Sequence, residues 1–100
     1  MVEKKRAWFI LSERAFKAVA DEIENSQLRD PVPSLLWGRW NDESKERLVL
    51  GFFERENVQI GWLMEANGLE FYTHQDQVLW MLQGRTLDYE NGKLFIKDIQ

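Results

Sequence analysis

His74 is the single histidine of the chain and stands between Thr73 and Gln75. Imidazole titrates near neutral pH, so it is the first group to weigh as a general base or a metal ligand. Either task needs company. The chain has no cysteine and no second histidine, so a thiolate or imidazole cluster cannot form around His74. The plainer roles are a cap on the segment that starts at Asp76, or a solvated side chain. A Ser–His–Asp arrangement would take its nucleophile from Ser12, Ser26, Ser34 or Ser44, none of which stands in a nucleophile-elbow setting. Glu54, Glu56, Glu65, Glu70, Asp76, Asp88 and Glu90 could pair for acid–base work or hold a hard cation. They are dispersed over turns and strand ends without calcium-loop spacing, and they read as a solvated polar face. The six glycines include no phosphate-loop or dinucleotide fingerprint.

Five tryptophans in 100 residues are the other chemical signal. Trp37 and Trp62 lie in alternating apolar runs with Leu35, Ile60 and Met64, where core packing explains them better than a ligand pocket does. Trp40 sits instead in a polar stretch between Arg39 and Asn41. An aromatic beside an arginine has the make-up of a protein-interaction hot spot, with ordinary packing as the alternative. Trp80, next to Met81, is either core or a contact between two copies of the chain, because Val78 and Leu82 supply a second apolar side. Arg39, Arg47 and Arg55 could form a strip that meets acid or phosphate. Glu46, Glu54 and Glu56 beside them predict mutual neutralisation.

These residues must be positioned by few elements. One hundred residues set a single domain over 1–100 and leave no room for a second core. The apolar share of 44% and charged share of 30% are those of a globular chain. Ala7 to Leu11 is an aromatic and β-branched run that predicts a first strand. Ser12 then stands as an N-cap with Glu13 in the first turn, and Phe16, Val19 and Ile23 recur at helical spacing, predicting a helix over 13–24. Asn25 to Pro33 reads as a loop. Alternation then predicts strands through Leu35–Arg39, Leu48–Phe53, Ile60–Met64 and Leu69–Thr73. Asn67-Gly68 and Asn91-Gly92 are two-residue hairpin signals. A short helix over 74–83, closed by Gly84, separates the two hairpins. The fold class is therefore α+β: a mixed or antiparallel twisted β-structure with an N-terminal helix after a short strand and a late short helix.

The pieces resemble the HesB-like, or A-type iron–sulfur carrier, family. Ile10-Leu11-Ser12-Glu13-Arg14-Ala15-Phe16 looks like its opening strand and helix start. Asn67-Gly68-Leu69-Glu70-Phe71-Tyr72 resembles its Asp-Gly turn and strand, and Leu82, Gly84, Thr86, Leu87, Asp88 and Tyr89 are similar to its Leu-x-Gly-x-x-Ile/Leu-Asp-Tyr segment. The likeness runs over about residues 9–96. It implies a HesB-like fold. The family's carriers hold a cluster through three cysteines, whereas the equivalent middle region here is Gly38-Arg39-Trp40-Asn41-Asp42, and the C-terminal Cys-Gly-Cys pair would fall beyond Lys97-Asp98-Ile99-Gln100. Iron–sulfur clusters require thiolates, so the resemblance carries over the scaffold without the ligands.

The net charge of −4 argues against a fold-wide basic surface for nucleic acid. No apolar run approaches the roughly 18 residues of a membrane helix, and none follows the N-terminal charges as a signal peptide would require; a cytoplasmic location is expected. The expected function is a non-enzymatic protein-interaction module without cofactor or metal. Its candidate surface is Arg39, Trp40, Asn41 and Asp42 together with Trp80. Alternatives are an immunity or antitoxin-type protein neutralising a basic toxin, for which acidity and aromatic richness would suit fast association, and an accessory of iron–sulfur cluster assembly. An enzyme or small-ligand binder built on His74 ranks below these.

Overall fold

The computed structural model describes residues 2–39, 45–58 and 61–97. Its elements are β1 (Val2–Trp8), β2 (Ile10–Leu11), α1 (Glu13–Asn25), β3 (Pro31–Gly38), β4 (Arg47–Glu54), β5 (Gly61–Ala66), β6 (Leu69–Thr73), α2 (Asp76–Leu82), β7 (Thr86–Glu90) and β8 (Lys93–Lys97). A 3-10 turn over Arg55–Asn57 follows β4. The strands form one eight-stranded sheet in the order β1-β5-β6-β3-β4-β8-β7-β2. Pairing is parallel for β1–β5, β2–β7 and β3–β6, and antiparallel for β3–β4, β4–β8, β5–β6 and β7–β8. With two helices packed on it, this is a small α+β domain. Among the described residues no helix is long and apolar enough to cross a membrane.

The two ends of the strand order are consecutive in the chain. β1 lies on β5, β2 lies on β7, and Phe9 alone separates them, so the N-terminal segment closes the sheet on itself. The strand expected over Ala7–Leu11 is thus two strands with different neighbours. A closed sheet is twisted and staggered, and one straight strand cannot hold register with both edges. β1 bulges against β5 between Lys4 and Trp8. Past the bulge, the Phe9 N–H donates to the Glu65 carbonyl and the Ile10 N–H to the Arg85 carbonyl, one bond to each edge. The Phe9 ring is buried and meets Phe71 edge-on, with ring centroids 5.2 Å apart.

Asn67 completes the closure. It lies with Gly68 in the turn between β5 and β6, both residues at positive φ, a conformation that Asn and Gly tolerate best. From there its side-chain amide reaches Leu11: Oδ1 accepts the Leu11 N–H and Nδ2 donates to the Leu11 carbonyl, each at 3.1 Å. The amide thereby acts as a peptide group for β2 on the side where no strand follows.

α1 begins where Ser12 Oγ accepts the Ala15 N–H at 3.1 Å, an N-cap interaction. Ala15 and Val19 are fully buried and Ile23 packs against the same core, the i, i+4 stripe of an amphipathic helix. The core they join contains Phe9, Leu11, Leu35, Leu48, Met64, Phe71 and Leu87. β3 starts earlier than the loop reading over Asn25–Pro33 allowed, because both prolines lie inside it. Pro31 and Pro33 pair with β4, but they precede Ser34, the one residue of β3 in register with β6. A missing N–H there removes no bond from the β6 ladder.

Replacing Asn67 by Gly keeps the turn conformation and removes both bonds to Leu11. The variant should lose about 1–3 kcal/mol of stability in urea unfolding, and the Leu11 amide should exchange faster with solvent. An unchanged midpoint would mean the amide bridge does not hold the closure.

Candidate functional site

α2 has only seven residues, too few to persist without tertiary support. Its position is set at both ends. Gln75, which precedes it, donates its N–H to Thr73 Oγ1 at 3.1 Å. Its side-chain amide accepts the Trp37 N–H at 2.6 Å and donates to the Trp37 carbonyl at 3.2 Å. The Trp62 indole N–H donates to the Asp76 carboxylate. At the far end the Gly84 N–H donates to the Trp8 carbonyl, and the Trp8 N–H donates to the Gln83 side chain. Val78 and Leu82 are fully buried between these anchors.

With Val78 and Leu82 inward, the 100° step of a helix turns residue 80 away from the core. Trp80 is 76% exposed, which corrects the alternative that placed it in the core. Trp8, whose backbone holds the turn after α2, is also exposed. On the other flank of α2, Met81 joins Trp37, Phe95 and Ile96 around a hollow of about 420 Å³ with Arg47 and Arg85 in its wall. Arg39 is exposed immediately after β3. Trp40, Asn41 and Asp42 lie outside the described residues. The candidate surface that can be placed is therefore Trp80, Met81 and the hollow, with Arg39 at the end of the strand that carries Trp37.

The groups weighed for catalysis are not brought together. His74 is exposed and Gln75 takes the N-cap position of α2, so the solvated reading of the histidine holds rather than the cap. Among the described residues no three of His, Asp and Glu gather into a group that could hold a metal. Ser26 Oγ accepts the Leu28 N–H, and Ser34 is sealed at 0% exposure with its hydroxyl unpartnered and facing Gly51. Ser44 lies outside the described residues. Arg55 pairs with Asp30 at 3.2 Å and Glu70 at 3.3 Å, not with the adjacent Glu54 and Glu56. The Arg55 N–H also bonds the Asp30 carbonyl, so backbone pairing brings Asp30 alongside Arg55.

One polar cluster is built with care, and its centre is Asp88. The residue is 3% exposed on β7. Oδ1 accepts the Ser12 hydroxyl at 2.6 Å and the Tyr89 N–H at 2.8 Å, while Oδ2 accepts Arg14 Nη2 at 2.8 Å. Arg14 also lies 3.9 Å from Glu90. The hydrogen bond from Arg14, then those from Ser12 and Tyr89, hold the Asp88 carboxyl well below the usual carboxylate range. The same carboxylate raises the Arg14 guanidinium. A carboxylate so fully donated to is a poor proton acceptor near neutral pH, so the cluster ties the start of α1 to β7 and does not serve as a base. Sequence reasoning grouped Asp88 with the solvated acids. The available signal was its place between Leu87 and Tyr89, a charge inside a buried strand.

Comparison with known proteins adds no family: no protein-family model and no curated protein matches the chain. The reading of function therefore stands on the geometry.

Asp88→Asn should cost about 2 kcal/mol at neutral pH, through loss of hydrogen bonds to a buried charge. Because the folded carboxyl is depressed, its contribution is complete above the unfolded value of about 3.9 and is lost as pH falls below it. The difference between wild type and variant in urea unfolding should be constant from about pH 6 to 7 and shrink on acidification below about pH 4. A gap that stays constant into acid would remove the charge from the explanation.

Proposed function

We propose that the chain is a non-enzymatic protein-interaction module of HesB-like fold that holds no iron–sulfur cluster and meets its partner through the α2 surface. The observation that carries this reading is Trp80, 76% exposed on a short helix whose opposite side is fixed by Gln75, Asp76 and the turn at Gly84. An indole held in water on a rigid support is the kind of residue that dominates binding energy at interfaces. The adjoining hollow, with Trp37, Met81, Phe95 and Ile96 against Arg47 and Arg85, offers an apolar centre with a charged margin, the usual anatomy of such contacts.

The HesB-like part of the reading rests on the sequence resemblance, and the roles of the shared residues are compatible with it. Ser12, Asn67, Gly84 and Asp88 all hold scaffold contacts here: a cap, a strand bridge, a positive-φ turn and a buried anchor. A pattern made of such residues serves the scaffold and does not require ligand residues. No cysteine stands in the 100 residues to supply the thiolates a cluster needs.

Trp80→Ala should leave the urea midpoint within about 0.5 kcal/mol of wild type, as exposed substitutions do. In affinity capture from native lysate read by mass spectrometry, a partner retained by wild type should be lost with the variant. A partner retained equally by both would place the interface elsewhere. Anaerobic treatment with iron and sulfide should leave the protein colourless; a stable visible absorption band would overturn the cluster-free reading.

A further inference from the structure

We infer that the groove between α1 and β4 receives an extended peptide segment of another protein, which adds as a strand to the edge of β4 that no described strand covers beyond Leu48. The starting point is one of the two seams of the sheet that a single register pair holds. β4 and β8 share a single register pair, Leu48↔Leu94, because β8 starts at Lys93 and the chain turns away through Asn91 and Gly92. β4 runs on to Glu54. Beyond Leu48 its one ladder partner among the described residues is β3. An unpaired strand edge presents alternating donors and acceptors to any extended chain that reaches it.

That edge opens on a groove of about 630 Å³ between α1 and the strands. The register places Leu48, Leu50 and Phe52 on one face, and these with Tyr89 and Leu94 make an apolar floor opposite Ala18 and Val19 of α1. A strand edge beside a helix, with an apolar trough between them, can bond a peptide backbone along the strand while alternate side chains enter the trough.

Charge argues for the same occupant. Lys17 and Arg47 line the groove together with Asp21 and Glu22, and Arg14 is already joined to Asp88. Both signs stand in the wall of the groove, so neither an anionic nor a cationic small ligand is favoured. Two β4 edges from two copies cannot meet there, because α1 of each copy lines the groove that the other would have to enter. An uncharged extended segment with apolar residues at alternate positions is the occupant that uses both the edge and the trough. This surface is separate from Trp80.

The test uses the full chain and a pool of fluorescein-labelled nonapeptides carrying Val, Leu or Phe at alternate positions with Thr between. Fluorescence anisotropy should show saturable binding, with new amide-exchange protection at residues 50–54. Peptides N-methylated at the Thr positions and, in a second set, at the apolar positions keep their side chains, and the set whose methylated N–H groups face β4 should bind at least about tenfold more weakly than the other. Ala18→Phe fills the trough from the helix side, where Ala18 is only half-buried, and should also abolish binding with the urea midpoint retained. Trp80→Ala should bind the pool as wild type does, which separates this groove from the α2 surface. Absence of saturable binding up to about 1 mM would overturn the proposal. So would equal binding of the two methylated sets, or protection confined to α2.

Discussion

Two side-chain amides stand in for missing strands, and the closed sheet depends on them. Asn67 bonds both polar groups of Leu11, and Gln75 bonds both polar groups of Trp37. Each acts where a ladder gives out: among the described residues β2 has only β7 as a strand neighbour, and β3 meets β6 in register at Ser34 alone. A buried peptide group without a partner costs about as much as a lost hydrogen bond. A side chain that offers one donor and one acceptor at peptide spacing removes that cost without another strand. Asn67 can do so because its own backbone sits at positive φ in the turn, which aims the amide back across the sheet.

Closure by the N-terminal segment has a consequence elsewhere in the ring. Once β1 and β2 join the two ends, the stagger that closure demands must be taken up at some seam. Two seams are reduced to one register pair, β3 with β6 and β4 with β8, and at the second of them hollows open on either side of Leu48 and Leu94. Both surfaces discussed above adjoin this seam. The strong pairings, β3 with β4 and β5 with β6, extend over whole strands and hold the framework around it.

The elements were legible in the sequence where the cause is local. Ser12 with the Phe16, Val19 and Ile23 spacing gave α1 to within one residue at its C-terminus, since a cap and an amphipathic stripe are properties of a few neighbouring positions. The short helix before Gly84 was legible for the same reason. Closure was not, because nothing in Ala7–Leu11 says that the chain changes partner at Phe9; that depends on where β5 and β7 lie. The two prolines of β3 misled for a related reason, since their tolerance depends on where β6 begins to pair. At the candidate surface, the exposure of Trp80 follows from Val78 and Leu82 being the inward pair, a choice the sequence pattern left open. Asp88 escaped because its partners, Ser12 and Arg14, are distant in the chain.

The same residues show how the polar groups of the scaffold are used. Ser12 caps α1 and donates to Asp88; Arg14 and the Tyr89 N–H donate to the same carboxylate. Thr73 and Gln75 are engaged at the start of α2, and Trp62 with Asp76 beside them. Each of these groups makes a hydrogen bond that helps position α1 or α2. What the scaffold leaves uncommitted is of another kind: an exposed indole on α2, apolar walls beside arginines, and a strand edge under α1. Surfaces of that composition recognise other chains by burial and backbone pairing, so the demands of the closed sheet and the proposed role as an interaction module have one origin.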